Sequence, residues 1–275
     1  MPEGPEIRRA ADRLAAAVAG QPLVRADFAF PALKRFERTL PGSRILSIMP
    51  RGKALLTAFD NGWTLYTHNQ LYGVWHVAGP GERPDTSRSL RVALETRRAS
   101  ILLYSASDVE LWRSDEIEGH PFLQRLGPDV LDTTLDVATV AARLQSPAFR
   151  GRALGALLLD QGFLAGMGNY LRAEVLFDAG LHPTLRPRDL DEAQTTHLAE
   201  ALLSIPRLSF ATRGIEPTRG MRADYLAREG QAFRFRVFQR DGQPCERCGT
   251  PLERIASQSR PLFLCPRCQP GRPPK

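Results

Sequence analysis

The four cysteines of the chain lie near its C-terminal end and have the spacing of a zinc site. They are Cys245, Cys248, Cys265 and Cys268, so two Cys-x2-Cys pairs are separated by sixteen residues, a spacing typical of four-cysteine zinc sites. Each pair supplies two thiolates from one turn, and four thiolates complete the tetrahedral coordination of zinc. Two disulfides, or thiols without a role, are the alternatives. The pattern predicts one structural Zn2+ ion in a C-terminal finger, with no position left for a catalytic water.

The second residue, Pro2, can become a nucleophile. A small residue at this position permits removal of Met1, which would leave Pro2 as a terminal secondary amine. An α-amino group titrates near about 7.7–8.0, and its free base can attack a sugar C1′ and form an iminium. Glu3 and Glu6 stand beside it and can transfer protons. The alternative is a plain chain start, in which Pro5 and the two glutamates favour the first turn of a helix.

The charge of the chain favours a polyanionic partner. Lys and Arg number 37 against 30 Asp and Glu, which gives a formal net charge of +7 and a pI near 9.7. Such an excess is typical of proteins that bind nucleic acid or an anionic membrane surface, although a solvated basic surface is the plainer alternative. No run approaches the roughly 18 apolar residues of a membrane span, and the first residues do not resemble a secretory signal. We therefore expect a cytoplasmic protein, in which clustered cysteines are more often metal ligands than disulfides.

The region that carries Pro2 is predicted to consist of one helix followed by strands. The helix is expected to start at Pro5 and to stop at Gly20. It places four apolar residues on one face: Ile7, Ala11, Leu14 and Val18. Short apolar or alternating runs broken by Gly, Pro, Asn and Asp predict strands, namely 54–59, 63–68, 90–94 and 101–104.

After a hinge at 127–129 the pattern becomes helical. Helical spacing occurs in four segments, 135–144, 153–159, 169–177 and 190–203, with a Gly-rich turn at 162–169. Between the cysteine pairs, residues 251–255 and 261–264 are predicted to form a hairpin whose tip carries residues 258–260. The tail at 269–275 is Pro-rich and basic, which predicts disorder.

Five stretches together resemble the formamidopyrimidine-DNA glycosylase and endonuclease VIII family. They are MPEGPEIRRAADRL at the start, RGKALLT at 51–57, HNQLYGVW at 68–75, DQGFLAGMGNYLRAEVLF at 160–177, and the cysteine finger. The opening PEGPE, in place of PELPE, favours the endonuclease VIII branch, which acts on oxidised pyrimidines. The resemblance implies an α+β multidomain fold. Its parts are a β-sandwich with an N-terminal helix (1–126), a helix–two-turn–helix domain (127–230) and a zinc finger (236–269), with DNA held in the cleft between the lobes.

The resemblance also implies catalytic roles. Pro2 matches the family nucleophile, and Glu3 matches the residue that protonates the sugar ring oxygen and assists elimination. Lys53 matches a lysine near the lesion phosphate that is assigned to proton transfer. Arg260 matches the finger arginine that grips the flanking phosphates and is linked to the second elimination. Without the resemblance, Lys53 is an ordinary surface charge. Arg260 is then either a surface charge or a phosphate contact, which suits the planar fork of arginine.

Five further residues match family positions that contact DNA. Asn169 matches an asparagine that holds a phosphate where a helix starts, and its alternative role is an N-cap. Gln70, Leu71 and Tyr72 match the loop that fills the gap left by a flipped base, and the alternative is a strand with Leu71 and Tyr72 in the core. Arg125 matches an arginine near that gap.

These features predict a bifunctional DNA glycosylase and AP lyase that acts as a monomer on damaged duplex DNA of the bacterial nucleoid. Attack by the Pro2 amine releases the base, and β- and δ-elimination then cut the strand. Segment 214–231 is longer and more charged than expected for this branch, so an enzyme for oxidised purines stays an alternative. A non-catalytic DNA-binding protein and a zinc-ribbon RNA-binding module are alternatives of another class.

Overall fold

The computed structural model describes residues 2–212, 232–257 and 260–271, and the chain divides into two compact units. One unit holds Pro2 and residues 6–124, and the other holds residues 3–5 together with the chain from Arg125 onward. Segment 214–231, the hairpin-tip residues 258 and 259, and the last residues of the basic tail lie outside the described residues. The domain bounds 1–126, 127–230 and 236–269 stay a prediction.

The first unit contains two helices and two antiparallel four-stranded sheets. The helices are α1 (Gly4–Val18), of which residues 6–18 belong to this unit, and α2 (Phe36–Thr39). The strands are β1 (Leu23–Phe28), β2 (Ile45–Arg51), β3 (Ala54–Phe59), β4 (Trp63–His68), β5 (Val74–Ala78), β6 (Leu90–Thr96), β7 (Ser100–Tyr104) and β8 (Asp108–Arg113). One sheet has the order β1-β6-β7-β5 and the other has the order β2-β3-β4-β8.

Both sheets and α1 share one apolar core, which makes this unit a β-sandwich with a helix packed on it. Ala11 and Val18 of α1 belong to the same buried cluster as Phe28 of β1 and Leu55 of β3. The whole predicted stripe is buried: Ile7, Ala11, Leu14 and Val18. The helix ends just before Gly20, whose φ of +75° suits the residue that follows a helix. The helix prediction is therefore confirmed.

All four predicted strands of the first unit are present. Strands β3 and β4 have the predicted bounds, β6 extends beyond the prediction to Thr96, and β7 starts one residue earlier at Ser100. Each extra residue is buried, because these strands run through the middle of their sheets. Strands β1, β2, β5 and β8 were not among the predictions.

The described residues of the second unit form four α-helices and the predicted hairpin. Its elements are α3 (Val137–Gln145), α4 (Leu154–Leu157), α5 (Asn169–Asp178), α6 (Glu192–Ala211), β9 (Glu253–Ser257) and β10 (Arg260–Leu264). Asp136 caps α3 by accepting a hydrogen bond from the backbone N–H of Thr139, and Asp191 begins α6 in a capping box with Gln194. Helix α4 is a single turn, shorter than the predicted 153–159. Both hairpin strands lie close to their predicted positions.

Helix α6 extends beyond the predicted end at 203, because Pro206 does not stop it. A proline inside a helix loses one hydrogen bond and clashes with the preceding turn. Here Pro206 is itself buried, as are Ile205 and Ser209 on either side of it. The burial of this face favours continuation of the helix to Ala211.

Helix α5 lies at the centre of the second unit and has no solvent-facing side over most of its length. Residues 170–177 are all buried. Tyr170, Leu171 and Phe177 share one core with Phe235 and with Leu262 of β10, so the finger packs directly on this helix. Among the described residues, no helix is long and apolar enough to cross a membrane.

Candidate active site and metal centre

Lys53 occupies a tight turn between two strands of the first unit. Strand β2 ends at Arg51, β3 begins at Ala54, and Gly52 has a φ of +60°, a conformation that glycine adopts at little cost. Lys53 is only 8% exposed, so its interpretation as an ordinary surface lysine is wrong. A buried ammonium group is costly unless its charge is used or paired, which is consistent with a functional role.

His68 lies between Lys53 and the predicted wedge loop. Burial is the main reason that the pKa of His68 lies below its usual value of 6.5; the carboxylate of Asp108 opposes this shift, and the nearby charge of Lys53 adds to it. The Nδ1 atom of His68 accepts a hydrogen bond of 3.0 Å from the backbone N–H of Gln70. The neutral imidazole therefore fixes the first residue of the loop, Gln70. His68 was not predicted as a site residue from the sequence.

The loop after β4 is a preformed turn that presents two large side chains to solvent. The N–H of Gly73 donates to the carbonyl of Asn69 at 2.7 Å, and Gln70 has a φ of +48°. A Cβ at Gly73 would lie 2.6 Å from the Asn69 Cα, so the turn needs glycine. Leu71 is 52% and Tyr72 is 68% exposed. The alternative that placed them in the core is therefore wrong.

A partly exposed arginine on the following connection braces the loop. Arg88 donates from Nη1 to the carbonyl of Tyr72 at 3.0 Å, and Ser107 donates to Oε1 of Gln70 at 3.2 Å. An apolar pair fixed in this way can enter a base stack without first ordering the loop.

The first residues of the chain are held in place rather than frayed. Pro2 is buried, two residues before the start of α1. Glu6 forms a salt bridge of 2.6 Å with Arg9 one helical turn later. Of the two candidate glutamates, Glu6 therefore pairs within α1, whereas Glu3 belongs to the second unit.

In the second unit, the Glu3 carboxylate occupies the N-terminus of α5. Its Oε1 accepts from the N–H of Tyr170 at 2.8 Å, and its Oε2 accepts from the N–H of Leu171 at 3.2 Å. These donors and the positive end of the helix dipole stabilise negative charge at this position. A Cβ at Gly168 would lie less than 3 Å from three atoms of the Glu3 side chain. The helix N-terminus is thus open to Glu3 because residue 168 is glycine.

The Gly-rich turn before α5 is held by two side chains, one from α3 and one from the residue just before the turn. Arg143 of α3 donates from Nε to the carbonyl of Phe163 at 2.7 Å and from Nη2 to that of Gly162 at 2.6 Å. Gln161 donates to the carbonyl of Met167 at 2.9 Å and accepts from the N–H of Gly166 at 3.1 Å. The turn therefore has a defined shape.

Asn169 is the first residue of α5, and its side chain bonds to the finger. The N-cap residue is Gly168, with no side-chain cap, so the N-cap alternative for Asn169 is wrong. Its Nδ2 donates to the carbonyl of Pro261 in β10 at 2.9 Å, and its Oδ1 accepts from Nη2 of Arg172 at 2.6 Å. Arg260, exposed at the start of β10, precedes that carbonyl by one residue. The second unit thus brings Glu3, Asn169 and Arg260 to the start of α5.

Two charged residues inside α5 were missed by sequence reasoning. Arg172 and Glu174 are both 0% exposed. Burial is the main reason that the pKa of Arg172 is lowered to about 10, a value at which the guanidinium still keeps its charge at neutral pH. Burial raises the pKa of Glu174, whose carboxylate accepts from the N–H groups of residues 236–238 ahead of the finger. Their charges stand among the mainly apolar residues of segment 169–177, and this contrast was the signal in the sequence that could have identified them.

Arg125 is exposed at the end of a 3-10 turn, next to the Gly-rich segment. The N–H of Gly127 donates to the carbonyl of Gln161 at 2.8 Å, and a Cβ at Gly162 would lie 3.1 Å from the Arg125 carbonyl. The backbone of residues 125–127 therefore packs against the turn that precedes α5.

The four cysteine thiols fit a tetrahedral zinc ion. All four ligand atoms lie within 4.8 Å of one another, and none forms a disulfide. The Sγ atoms of Cys245 and Cys268 are 3.9 Å apart and those of Cys248 and Cys265 are 3.5 Å apart, whereas Zn–S bonds of about 2.3 Å in a tetrahedron give S–S separations of about 3.8 Å. The cysteines are therefore the site of one structural zinc ion, as predicted. Bound there, zinc stabilises the finger that carries Arg260.

Three family models match the chain. They are the formamidopyrimidine-DNA glycosylase N-terminal domain at residues 1–108, the formamidopyrimidine-DNA glycosylase H2TH domain at 126–217, and the zinc finger found in FPG and IleRS at 242–271. The chain is 55% identical over 269 residues to Endonuclease 8 of Escherichia coli strain UMN026 and 56% identical over 269 residues to that of Salmonella schwarzengrund. Each alignment covers 98% of this chain and 100% of the relative.

Solved structures share the fold. A complex of Lactococcus lactis Fpg with DNA containing N7-benzyl-Fapy-dG has a TM-score of 0.83 and 21% sequence identity, and it covers 98% of this chain and 100% of that chain. A complex of the same protein with DNA containing an abasic site has the same values. At this identity the likeness shows the fold, which agrees with the expected β-sandwich, helical domain and zinc finger.

Proposed function

The chain belongs to the formamidopyrimidine-DNA glycosylase and endonuclease VIII family, and we propose that it removes oxidised pyrimidines through a covalent intermediate on the amine of Pro2. As a member of this family it is a base-excision-repair glycosylase and AP lyase that acts on oxidised bases. The choice of pyrimidines and the residue roles below are the proposed part.

The observation that carries the proposal is the fixed position of Glu3. Its carboxylate is bound by the N–H groups of Tyr170 and Leu171, and the N–H of Gly4 donates to the carbonyl of Gly166 at 2.8 Å. Pro2 is covalently joined to this fixed residue. An amine and a carboxylate that are consecutive in the chain can therefore act on the same sugar.

In the proposed reaction, the Pro2 nitrogen bonds to C1′ while the bond from C1′ to the damaged base breaks. The base leaves with the bonding electrons and takes a proton from solvent. The Pro2 nitrogen gives up its own proton, which the Glu3 carboxylate passes to the ring oxygen, so the sugar opens and the iminium forms. The iminium makes the C2′ proton acidic; loss of that proton expels the 3′ phosphate, and a second elimination expels the 5′ phosphate. Lys53 transfers protons during elimination, and Asn169 and Arg260 hold the flanking phosphates.

The proposed wedge is the loop of Gln70, Leu71 and Tyr72. Extruding a base costs a few kcal/mol, and a side chain that fills the vacated space offsets part of this cost. Leu71 and Tyr72 are exposed and their loop is braced, so no core packing is lost when they enter the stack. Arg125 is proposed to contact DNA beside the same gap.

The preference for pyrimidines is supported by the opening PEGPE and by relatives named Endonuclease 8. We further propose that the substrate is damaged duplex DNA and that the protein acts as a monomer in the bacterial cytoplasm, on the nucleoid. The net charge of +7 favours such a polyanion.

A comparison of two lesions tests the substrate. Matched duplexes that carry a single thymine glycol or a single 8-oxoguanine are incubated with zinc-loaded protein whose N-terminal mass confirms removal of Met1. We expect faster excision of thymine glycol. Faster excision of 8-oxoguanine would contradict the pyrimidine preference while leaving the family chemistry in place.

The control is the same chain with one uncleaved residue added before Pro2. Its nitrogen is then an amide, and both excision and strand cleavage should be lost although the fold and zinc content are kept. Full activity of this extended protein would contradict the role of Pro2.

A further inference from the structure

Arg172 is a buried arginine whose guanidinium joins three separate parts of the second unit. It is 0% exposed. Its Nη1 donates to the carbonyl of Gly155 in α4 at 2.8 Å, and its Nη2 donates to Oδ1 of Asn169 at 2.6 Å and to the carbonyl of Pro261 at 3.4 Å. One side chain therefore connects α4, the start of α5 and the start of β10.

These contacts fix which way the Asn169 amide faces. Because Oδ1 accepts from Arg172, the Nδ2 group is directed to the Pro261 carbonyl at 2.9 Å. An amide group has two N–H donors, and within the described residues only one of them is engaged, so the second can donate to a phosphate oxygen. Without Arg172 the amide loses the donor that holds its oxygen in place.

The same contacts fix the strand that carries Arg260. The Pro261 carbonyl, one residue after Arg260, accepts from both Asn169 and Arg172, and Leu262 is fully buried in the core that contains α5. The backbone at the start of β10 is therefore held to α5 both by hydrogen bonds and by apolar packing. The Arg260 side chain leaves from this tied backbone.

The charge of Arg172 also acts on the neighbouring groups. The Glu3 carboxylate favours the charged form of Arg172, whereas Arg260 disfavours it, so both groups lie within electrostatic range of Arg172. A positive charge kept out of water is screened little by salt. It adds to the positive potential at the start of α5.

We propose that Arg172 is a positioning residue for the second elimination, because it sets the amide of Asn169 and the backbone that carries Arg260 in one arrangement around a DNA phosphate. The inference rests on the proposed function, in which Asn169 and Arg260 hold the phosphates that flank the lesion. Lysine cannot replace this arginine, because an ammonium group lacks the planar fork that reaches Gly155 and Asn169 together.

The test separates the two eliminations. Full-length, zinc-loaded protein cleaves a duplex with one abasic site under single-turnover conditions, and a denaturing gel resolves the β-product from the δ-product. For Arg172→Met we expect borohydride trapping within about threefold of wild type, but a δ-to-β product ratio lowered about tenfold or more. Arg172→Lys should show the same lowered ratio, and it decides the question where the Met variant does not fold or retain zinc.

A matched control comes from the other end of the same helix. Arg247 of the finger donates to the carbonyls of Phe177 and Asp178 at the end of α5, at 2.8 and 3.1 Å. Arg247→Met should therefore loosen the contact between finger and helix yet keep the wild-type product ratio.

Four outcomes contradict the inference, and one of them contradicts the proposed function as well. A wild-type ratio in Arg172→Lys would show that charge alone suffices, and an equal loss in Arg247→Met would show that any loosening of the finger has this effect. If the unmodified protein forms no trapped adduct, the proposed function fails and the inference fails with it. If the wild type forms both the trapped adduct and the δ-product, but Arg172→Met keeps the wild-type δ-to-β ratio, only the inference is refuted. The proposed function then stands.

Discussion

The glycine at position 168 makes the placement of Glu3 testable with one methyl group. Gly168 has φ −142° and ψ −158°, an extended conformation that alanine also adopts, so Gly168→Ala introduces no backbone strain. Its Cβ would, however, lie less than 3 Å from three atoms of the Glu3 side chain. Atoms do not approach so closely, so the carboxylate must leave the N-terminus of α5.

The size of the effect follows from the contacts that are lost. Two N–H groups donate to the Glu3 carboxylate, and each hydrogen bond to a charged group is worth about 1.5–3 kcal/mol. A displaced acid–base group costs about 10²–10⁴-fold in rate, and the lower end of this range corresponds to about 3 kcal/mol. We therefore expect base excision by Gly168→Ala to slow at least about 100-fold.

The assay is single-turnover excision of thymine glycol from a duplex, with zinc content and thermal unfolding measured on the same samples. Gly151→Ala is the matched control, because a Cβ at Gly151 meets nothing within 4 Å and the residue belongs to the same unit. It should keep the wild-type rate and a free energy of unfolding within about 0.5 kcal/mol of wild type. A Gly168→Ala rate within about threefold of wild type would refute the reasoning, since the carboxylate would then not be needed in its place.

Three more perturbations probe other parts of the molecule. Leu71→Ala should slow excision from duplex DNA at least about tenfold with little change in thermal stability, because no side chain then fills the space that the flipped base leaves in the stack. Leu46→Ala is the control: it removes a side chain 58% exposed in the same unit and should change neither excision nor thermal stability. Removal of zinc with a chelator should abolish strand cleavage and lower the unfolding temperature of the second unit, and added zinc should restore both. Cleavage by protein shown to contain no zinc would contradict the structural role of the zinc ion. The pKa of His68 is lowered in the folded state, so the contribution of His68 to stability is present above pH 6.5 and is lost as the pH falls through the lowered pKa. Protonation then occupies the Nδ1 atom that accepts from the N–H of Gln70. Urea unfolding at pH 7 and pH 5 should therefore differ more in wild type than in His68→Gln, and equal differences would contradict this.

Patterns that depend on local spacing were predictable from the sequence. The apolar stripe of α1 and the strands 54–59 and 63–68 follow helical or alternating periodicity, and the structure confirms them. The zinc site was predictable because two Cys-x2-Cys pairs with this separation are typical of four-cysteine zinc sites. In each case the information lies within a short segment.

Features that depend on tertiary contacts were not predictable in this way. Residue type does not separate Glu3 from Glu6; the family resemblance favoured Glu3, and the open position at Gly168 shows how its carboxylate reaches α5. Arg172 sits in a helix buried on all sides, where amphipathic spacing gives no signal. Helical spacing placed the end of α6 too early, at 203, because it does not show that buried packing around Pro206 lets the helix continue.

The most direct test of the central claim is to locate the covalent adduct on the protein. Protein without Met1 is mixed with a thymine glycol duplex and borohydride, which reduces an iminium to a stable bond, and the trapped complex is digested and sequenced by mass spectrometry. We predict that the deoxyribose remnant lies on the nitrogen of Pro2. An adduct on Lys53 or on another side chain, or no adduct with thymine glycol, 8-oxoguanine or an abasic site, would contradict the claim.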